Sequence, residues 1–329
     1  MHQRVIFAVL LVLLAPVVFA VAISSGSVDV SLSNVLLALS GRADPITQTI
    51  IVDLRLPRVL AAFAVGGMLA ISGALLQVLL RNPLADPYVL GVSGGAAVAA
   101  LLTFVLGLPL VFLHITPFMG ALVSMLLVFG LARSGGQWTS ARLLLTGVVI
   151  AAGWGAVVSL LLALAPAQQA KGMLFWLLGD LSNATNPGYG LLILFVSLGI
   201  GLAFARALNL FARGERVAQA LGENPARLRT LIYLLASVLT GVAVTLGGTI
   251  GFVGLIIPHM LRLAGFTDHR LLLPLAVVLG GMFLLAADTL ARATGPLSLP
   301  AGVFTALLGV PVFLFLLHRQ AAVGREERS

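Results

Sequence analysis

Residues 54–97 read LRLPRVLAAFAVGGMLAISGALLQVLLRNPLADPYVLGVSGGAA, and this stretch sets the pattern for the rest of the chain. It contains an uncharged run from Val59 to Leu80, which is long enough to cross a bilayer because a membrane helix needs about 20 residues. A polar turn with two prolines follows, and a second apolar run starts at Val89. The pattern predicts two membrane helices joined by a rigid turn, since the residue before a proline is driven towards extended backbone.

The helix predicted for the Val59–Leu80 run has a proline near its start and small residues along its length. We expect Pro57 in the first helical turn, where its missing N–H does no harm. Small residues at Gly66, Ala70 and Ala74 follow at four-residue spacing, together with Gly67 and Gly73. Such spacing allows neighbouring helices to approach closely.

The composition excludes a soluble domain. Of the 329 residues, 60% are hydrophobic and 9% are charged, whereas soluble domains carry about 25% charged residues. The chain has no cysteine, which excludes disulfides and thiol metal sites. Its net charge of +8 lies at the ends of apolar runs, as in membrane proteins, and does not indicate a nucleic-acid partner.

The apolar runs predict about ten spans in one all-α integral membrane domain that covers residues 1–329. The first run could instead be a secretory signal peptide, because Arg4 precedes it and Ala20–Ala22 resembles a cleavage site. We expect an uncleaved helix, because the run extends to Ile23 and further spans follow. The predicted spans are 4–23, 57–80, 89–107, 116–133, 141–164, 188–206, 228–248, 251–265, 271–293 and 301–318.

The positive-inside rule orients these spans. With the N-terminus inside, 14 of the 19 lysines and arginines fall on the inner side. Both termini are therefore expected in the cytoplasm. The five outer exceptions are Arg42, Arg55, Arg58, Lys171 and Arg292.

Arg55 and Arg58 are unusual because they lie outside and at a predicted helix start, where the helix dipole disfavours cations. They indicate an acidic external partner, or else they reach towards lipid headgroups. Asp288 lies four residues before Arg292, a spacing that favours an ion pair within one helix. A proton relay through Asp288 is the alternative, and no chain of further buried carboxylates supports it.

Two further segments interrupt the apolar pattern. The segment 207–227 predicts a short amphipathic helix, a stop at Gly222 and a second short helix that begins at Asn224–Pro225; it could lie on lipid as an interfacial helix. The segment Gly247–His259 has four glycines and a proline in apolar sequence. We expect a helix break there, next to a pore or a dimer interface, because broken backbone is tolerated where protein or a cavity surrounds it.

Three blocks in order, LRLPR, NPLADP and GVSGGA, resemble the FecCD family, the permease subunits of ABC importers for cobalamin, haem and iron–siderophores. The similarity extends almost to the C-terminus. It implies a type II ABC importer permease fold in a bacterial inner membrane. It also implies a separate ATPase subunit, a periplasmic substrate-binding protein, a second permease copy in a homodimer, surrounding membrane lipid, and no cofactor.

The resemblance also implies residue roles. Arginines at the positions of Arg55, Arg58 and Arg292 receive glutamates of the binding protein. The cytoplasmic segment couples to the ATPase through a motif that matches Gly214, Ala218, Leu221 and Gly222. The residues at the cytoplasmic gate are Asn82, Leu84, Thr139 and Ser140, although Asn82 and Ser140 could equally be helix caps.

Two other functions are weaker alternatives. Gly91–Gly94 forms a G-x-S-G motif, so an intramembrane serine protease with Ser93 and a distant His259 is conceivable, but the flanking blocks fit the permease family. A secondary transporter would need buried charges for ion coupling, and Asp288 is the sole clear candidate. The chain has no phosphate-binding G-x-x-x-x-G-K-[ST] motif, so ATP is expected to bind elsewhere. The choice among cobalamin, haem and siderophore stays open.

Overall fold

The computed structural model describes residues 2–326 except 27, 134–138, 183, 185 and 295–298. Its regular elements in that part of the chain are helices, which include two short 3₁₀-helices, Pro87–Leu90 and Leu110–His114, and a π-helical segment, Thr49–Arg55. The α-helices are numbered in chain order. They are α1 (His2–Ser24), α2 (Leu32–Leu39), α3 (Pro45–Gln48), α4 (Leu56–Leu79), α5 (Val92–Val105), α6 (Thr116–Arg133), α7 (Ser140–Leu164), α8 (Ala167–Leu177), α9 (Gly188–Ala203), α10 (Ala205–Ala212), α11 (Glu215–Ala220), α12 (Pro225–Gly247), α13 (Val253–Leu263), α14 (His269–Ala293) and α15 (Ala301–Glu326).

Ten apolar segments of the described chain correspond to the ten predicted spans. By length and composition, six helices can cross a membrane: α1, the continuous helix Pro45–Leu79, α6, α7, α12 and α14. The pair α9 and α10, bent by 65°, passes the same test together, and three shorter apolar helices lie in α5, α13 and α15. The prediction of an all-α, multi-pass membrane protein is confirmed.

Helix α4 is the centre of the bundle, and α9, α12, α13 and α14 pack around it. Its residues from Ala64 to Leu79 are buried without a break. The small residues make this possible: a Cβ at Gly66 would lie 2.2 Å from the Gly280 carbonyl oxygen, and one at Gly73 would lie 1.9 Å from that of Gly254. The predicted close packing of this helix is therefore present, against α14 at one point and α13 at another.

Replacing Gly73 by leucine is expected to destabilise the protein by about 3 kcal/mol or more, because the side chain would force α4 and α13 apart in a packed core. The measurement is the unfolding midpoint of the purified protein in detergent. Gly199 on α9 is the matched control, since nothing lies within 4 Å of the position that its Cβ would take. Equal midpoints for Gly73→Leu and Gly199→Leu would contradict this packing.

The start of the second span differs from the prediction. A π-helical segment, Thr49–Arg55, connects α3 to α4, so one continuous helix runs from Pro45 and Pro57 does not lie in its first turn. The Leu56 N–H bonds to the Ile51 carbonyl, five residues back. A proline within a helix leaves a carbonyl four residues earlier without its N–H, and the wider π turn is a known way to absorb such a mismatch. Arg55 and Arg58 therefore do not face the dipole of a helix start.

Other boundaries differ as well. Two helices outside the predicted spans, α2 and α8, lie in connecting segments. The sixth span ends at Ala203, before the bend into α10. Pro225 begins the long helix α12, not a second short helix; its N-cap Asn224 accepts hydrogen bonds from the next turn, so the chain enters the span directly.

Candidate functional site

Four charged side chains meet at the N-terminal end of α4 and are called here the arginine cluster: Arg55, Arg58, Asp288 and Arg292. Asp288 and Arg292 belong to α14. Asp288 is fully buried. The Arg58 guanidinium binds it with two nitrogens, with Nη2 at 2.8 Å and Nε at 3.0 Å from Oδ1. Arg292 Nε lies 3.0 Å from Asp288 Oδ2, so the structure contains the ion pair expected from the four-residue spacing. One carboxylate thus binds two arginines from two helices.

The same arginines cap the end of α1. Arg55 Nη1 donates to the carbonyl oxygens of Ile23 and Ser24, each at 2.8 Å. Arg292 donates to the carbonyls of Ala22 and Ser25, each at 2.9 Å. The last four carbonyls of a helix lack partners within it, so these contacts attach α1 to α4 and α14.

The structure brings the three predicted docking arginines together but leaves little of them exposed. Arg55 is 8% exposed, and the side chains of Arg58 and Arg292 are 15% and 10% exposed. Sequence reasoning missed the Arg58–Asp288 pair, because 230 positions separate the two residues. The signal in the sequence was a carboxylate, Asp288, and an arginine, Arg58, each next to apolar sequence where a charge needs a partner.

The C-terminal end of α4 is tied to α13 by Gln77. Its Nε2 donates to the Leu255 carbonyl at 3.1 Å and to the Gly254 carbonyl at 3.3 Å. Its Oε1 accepts a hydrogen bond from Arg262. These bonds join the polar end of α4 to the first turn of the short helix α13.

The predicted gate residues lie at this same end. Ser140 Oγ donates to the Leu79 carbonyl at 2.8 Å, which joins the start of α7 to the end of α4. Thr139, not Ser140, is the N-cap of α7. Asn82 Oδ1 accepts from the Leu84 N–H at 2.9 Å, so it shapes the turn without capping a long helix, and Leu84 is exposed.

The predicted break between α12 and α13 is present at residues 248–252, and it is bonded to the NPLADP turn. The Tyr88 hydroxyl donates to the Ile250 carbonyl at 2.9 Å and accepts from the Ile250 N–H at 2.8 Å. Gly248 and Phe252 have positive φ angles of 69° and 70°. The break lines a cavity of about 410 Å³ between α5, α8 and α12, with Gly248 in its wall. Broken backbone is thus surrounded by protein and a cavity, as such backbone requires at membrane depth.

Asp86, in the turn, provides a pH-dependent prediction. Its Oδ1 accepts from the Tyr88 N–H at 2.8 Å, and burial raises the pKa of Asp86 to about 6. Because the unfolded carboxyl ionises at lower pH than the folded one, stability falls as pH rises to about 6 and stays reduced above it. Asp86→Asn keeps the hydrogen-bond acceptor and removes the charge. We therefore expect its free energy of unfolding at pH 7.5 to exceed that of the wild type by about 1–2 kcal/mol.

The check is the unfolding midpoint of both proteins between pH 4 and 8. The difference between Asp86→Asn and wild type should shrink towards pH 4, where the folded carboxyl is protonated. Asp53→Asn, at an exposed position, is the matched control and should change the midpoint little. A difference that does not change with pH would contradict the burial of a charged Asp86.

The predicted coupling segment forms a surface turn between α10 and α12. Gly214 and Gly222 adopt positive φ angles of 128° and 87° on either side of α11. Ala218 is fully buried, whereas Val217 and Leu221 are 40% and 59% exposed. Glu215 binds Arg229 of α12 at 2.5 Å. The short helix is therefore held to the bundle and presents apolar side chains outward.

The residues of the protease alternative do not form a catalytic pair. Among the described residues the buried His259 Nε2 has no hydrogen-bond partner, so it is not bonded to Ser93. Asp288, the candidate for ion coupling, is bound by two arginines. The described residues also contain no group of three or more histidine, aspartate or glutamate side chains that could hold a metal ion.

A bundle of about ten apolar helices with charged groups at its two ends defines a multi-pass membrane protein. Comparison with known proteins agrees with this class. The model of the FecCD transport family matches residues 11–319. The chain belongs to the FecCD transport family and is the transmembrane subunit of an ABC importer.

Individual relatives cover most of the chain. The cobalamin import system permease protein BtuC of Halobacterium salinarum is 42% identical over 82% of this chain and 74% of its own length. The hemin transport system permease protein HmuU of Yersinia pestis is 42% identical over 84% of each chain. A solved structure of a metal-chelate type ABC transporter in an inward-facing conformation is 31% identical, with a TM-score of 0.84 over 95% of this chain and 99% of that one.

Proposed function

We propose that this permease moves a large metal chelate, of the cobalamin, haem or ferric siderophore class, across a bacterial inner membrane. The observation that carries the proposal is the similarity, over most of the chain, to permeases named for cobalamin and hemin and to a metal-chelate transporter. Residues 1–329 form one permease domain, with both termini in the cytoplasm as the arginine distribution favours.

The energy comes from a separate ATPase subunit that contacts the segment 207–227. The support is the surface of α11, where Val217 and Leu221 are exposed at a turn between membrane helices. Exposed apolar side chains rimmed by polar ones mark protein interaction sites. Gly214 and Gly222 shape this turn, because both need backbone angles that other residues rarely adopt. Ala218 packs inward and Leu221 faces outward, so the four motif residues share the work of shaping the turn and presenting its surface.

Substrate arrives from a periplasmic binding protein that docks at the arginine cluster. Three guanidiniums and one carboxylate leave that cluster with a net charge of +2. Arg58 and Arg292 keep small exposed edges, while Arg55 is committed to the carbonyls of α1. Charges of this kind mainly set the association rate and the orientation of a partner, so docking should weaken as ionic strength rises.

A second copy of the chain completes the permease. The support is α7, of whose residues only Leu143 and Gly147 are buried. Its glycines Gly153 and Gly155 have nothing within 4 Å of the positions that a Cβ would take, as expected of a helix face left open for close packing against another helix. Such a dimer places the ends of α4 and α7 near its axis, with Asn82, Leu84, Thr139 and Ser140 as the cytoplasmic gate.

The test is uptake by proteoliposomes that contain this chain, its ATPase and its binding protein. Labelled cyanocobalamin, haem and a ferric siderophore are offered in parallel, with and without ATP. We expect ATP-dependent accumulation of one of the three, at a rate that falls with salt. Failure of all three substrates in vesicles whose ATPase activity responds to the binding protein would overturn the substrate class. Peptide cleavage by the purified chain that is lost in Ser93→Ala would overturn the permease function itself.

A further inference from the structure

A second cavity, of about 300 Å³, lies at the C-terminal end of α4, between that helix, α10 and the loop from α13 to α14. It is separate from the 410 Å³ cavity near α8. Its polar lining residues include Gln77, Arg81, Asn82, Arg262, Thr267 and His269. None of the described residues that line it is acidic.

The first indication of a ligand is the charge of Arg262. Its guanidinium donates to the side-chain oxygen of Gln77 and to the Ala74 carbonyl, which are neutral acceptors. The ion pairs found in the described residues do not include Arg262. A guanidinium has five N–H donors, and a partly buried cation without a counterion is costly. An anion in the cavity would supply both the acceptors and the charge.

Asp268, which lies between the lining residues Thr267 and His269 in the sequence, does not line the cavity. Asp268 accepts from the Arg270 N–H at 3.0 Å and from Asn209 Nδ2 at 2.7 Å. Those bonds hold the pKa of Asp268 below its usual range. The carboxylate is the N-cap of α14, and among the described ion pairs it joins neither Arg81 nor Arg262.

The second indication is an unpartnered histidine nitrogen. His269 is 2% exposed, and its Nε2 has no hydrogen-bond partner among the described residues. Asn209 Oδ1 accepts from the His269 backbone N–H at 3.0 Å and lies 2.6 Å from Nδ1. Because an amide oxygen cannot donate, Nδ1 carries the proton, and Nε2 of the neutral ring is an acceptor. One residue of the lining thus carries an acceptor nitrogen that no described group serves.

The backbone at Arg81 is the third feature. Arg81 ends α4 with a φ of 48°, and the Asn82 N–H bonds to the Gln77 carbonyl at 3.2 Å. This is the helix-ending turn in which glycine is usual, and a left-handed conformation costs a non-glycine residue about 1–2 kcal/mol. In spite of that cost an arginine occupies the position, and its side chain lines the cavity.

We propose that this cavity binds an oxyanion of the phosphate class that also carries a hydroxyl group. Its oxygens would accept from Arg81 and Arg262, and its hydroxyl would donate to His269 Nε2. A phosphatidylglycerol headgroup and a soluble hydrogen phosphate share this chemistry. The site lies beside Asn82, a residue of the proposed gate, and does not depend on the identity of the transported chelate.

The experiment measures the unfolding midpoint of the purified chain in a neutral detergent by tryptophan fluorescence. One arm adds inorganic phosphate at constant ionic strength. The other adds diheptanoylphosphatidylglycerol, with diheptanoylphosphatidylcholine as the reference without net charge. A ligand of the folded state raises the midpoint in proportion to the logarithm of its free concentration once that exceeds Kd, and the concentration at which the rise begins gives an apparent affinity.

Two variants test the site. Arg262→Gln and Arg81→Gly are each expected to weaken the apparent affinity at least tenfold. Without ligand, Arg81→Gly should be at least as stable as the wild type, because glycine adopts the left-handed turn easily. If Arg262→Gln is too unstable to measure, Arg81→Gly alone tests whether the cavity binds the anion. Arg206→Gln, an exposed arginine on α10, is the matched control and should respond as the wild type.

The two arms separate the sources. A shift with phosphatidylglycerol alone assigns the site to a lipid headgroup, and a shift with free phosphate assigns it to a soluble ligand. The proposal is overturned if neither probe shifts the wild type, or if Arg81→Gly and Arg262→Gln respond as strongly as Arg206→Gln.

Discussion

Asp288→Asn is expected to lower the free energy of unfolding by about 3–5 kcal/mol, because it leaves two buried arginines without their counterion. Asp288 is fully buried and binds both Arg58 and Arg292. Asparagine has nearly the same shape but no charge, and its amide nitrogen would face a guanidinium. We expect little monodisperse protein after extraction in detergent, and loss of the attachment between α1 and α14.

Two comparisons make this result specific. Asp53→Asn is the matched control, since Asp53 is exposed near the same end of α4, and it should change the unfolding midpoint little. Arg58→Gln combined with Asp288→Asn should cost clearly less than the sum of the single changes, because residues within one ion-pair network are coupled. Normal yield and midpoint for Asp288→Asn alone would show that the cluster is not a structural unit.

Deletion of residues 214–222 is expected to abolish ATP-driven uptake while the chain still inserts into the membrane. The segment lies outside the membrane helices, between α10 and α12, and Ala218 is the one buried residue of α11. If this segment contacts the ATPase, its deletion prevents movements of the ATPase from reaching the cytoplasmic gate. The measurements are uptake by proteoliposomes and the amount of permease in the membrane.

The deletion also removes Glu215, the ionic partner of Arg229, so Glu215→Gln is the matched control and should retain most of the uptake. A milder variant, Val217→Asp with Leu221→Asp, keeps the backbone and replaces the exposed apolar surface; it should lower uptake at least tenfold. Full uptake in the deletion variant would refute the coupling assignment.

Much of the fold could be predicted because hydrophobic periodicity and length decide which segments enter a membrane. The ten apolar segments, the close packing at Gly66 and Gly73, and the break near Gly248 follow from local sequence, and the structure contains each of them. Helix starts were harder to predict. Pro57 predicted a first turn, but the π-helical segment before it continues the helix to Pro45.

The candidate site was predictable in part. The positions of Arg55, Arg58 and Arg292 at one end of the bundle follow from the spacing of the apolar runs. Their partners do not, because Arg58 and Asp288 meet only when α4 and α14 pack, and Arg55 finds the carbonyls of α1. Likewise, no local signal shows that Arg262 and His269 share a cavity with Arg81.

By itself the sequence determined that this protein is a multi-pass helical membrane protein, since burying apolar runs in lipid requires helices whatever their neighbours are. It also determined, through the similarity of ordered blocks, the family of transport subunits. Tertiary structure alone decided which charges neutralise each other, which carbonyls the arginines cap and which polar atoms lack partners. These depend on distances of a few ångströms between helices far apart in the chain, where hydrogen bonds and ion pairs form or fail to form.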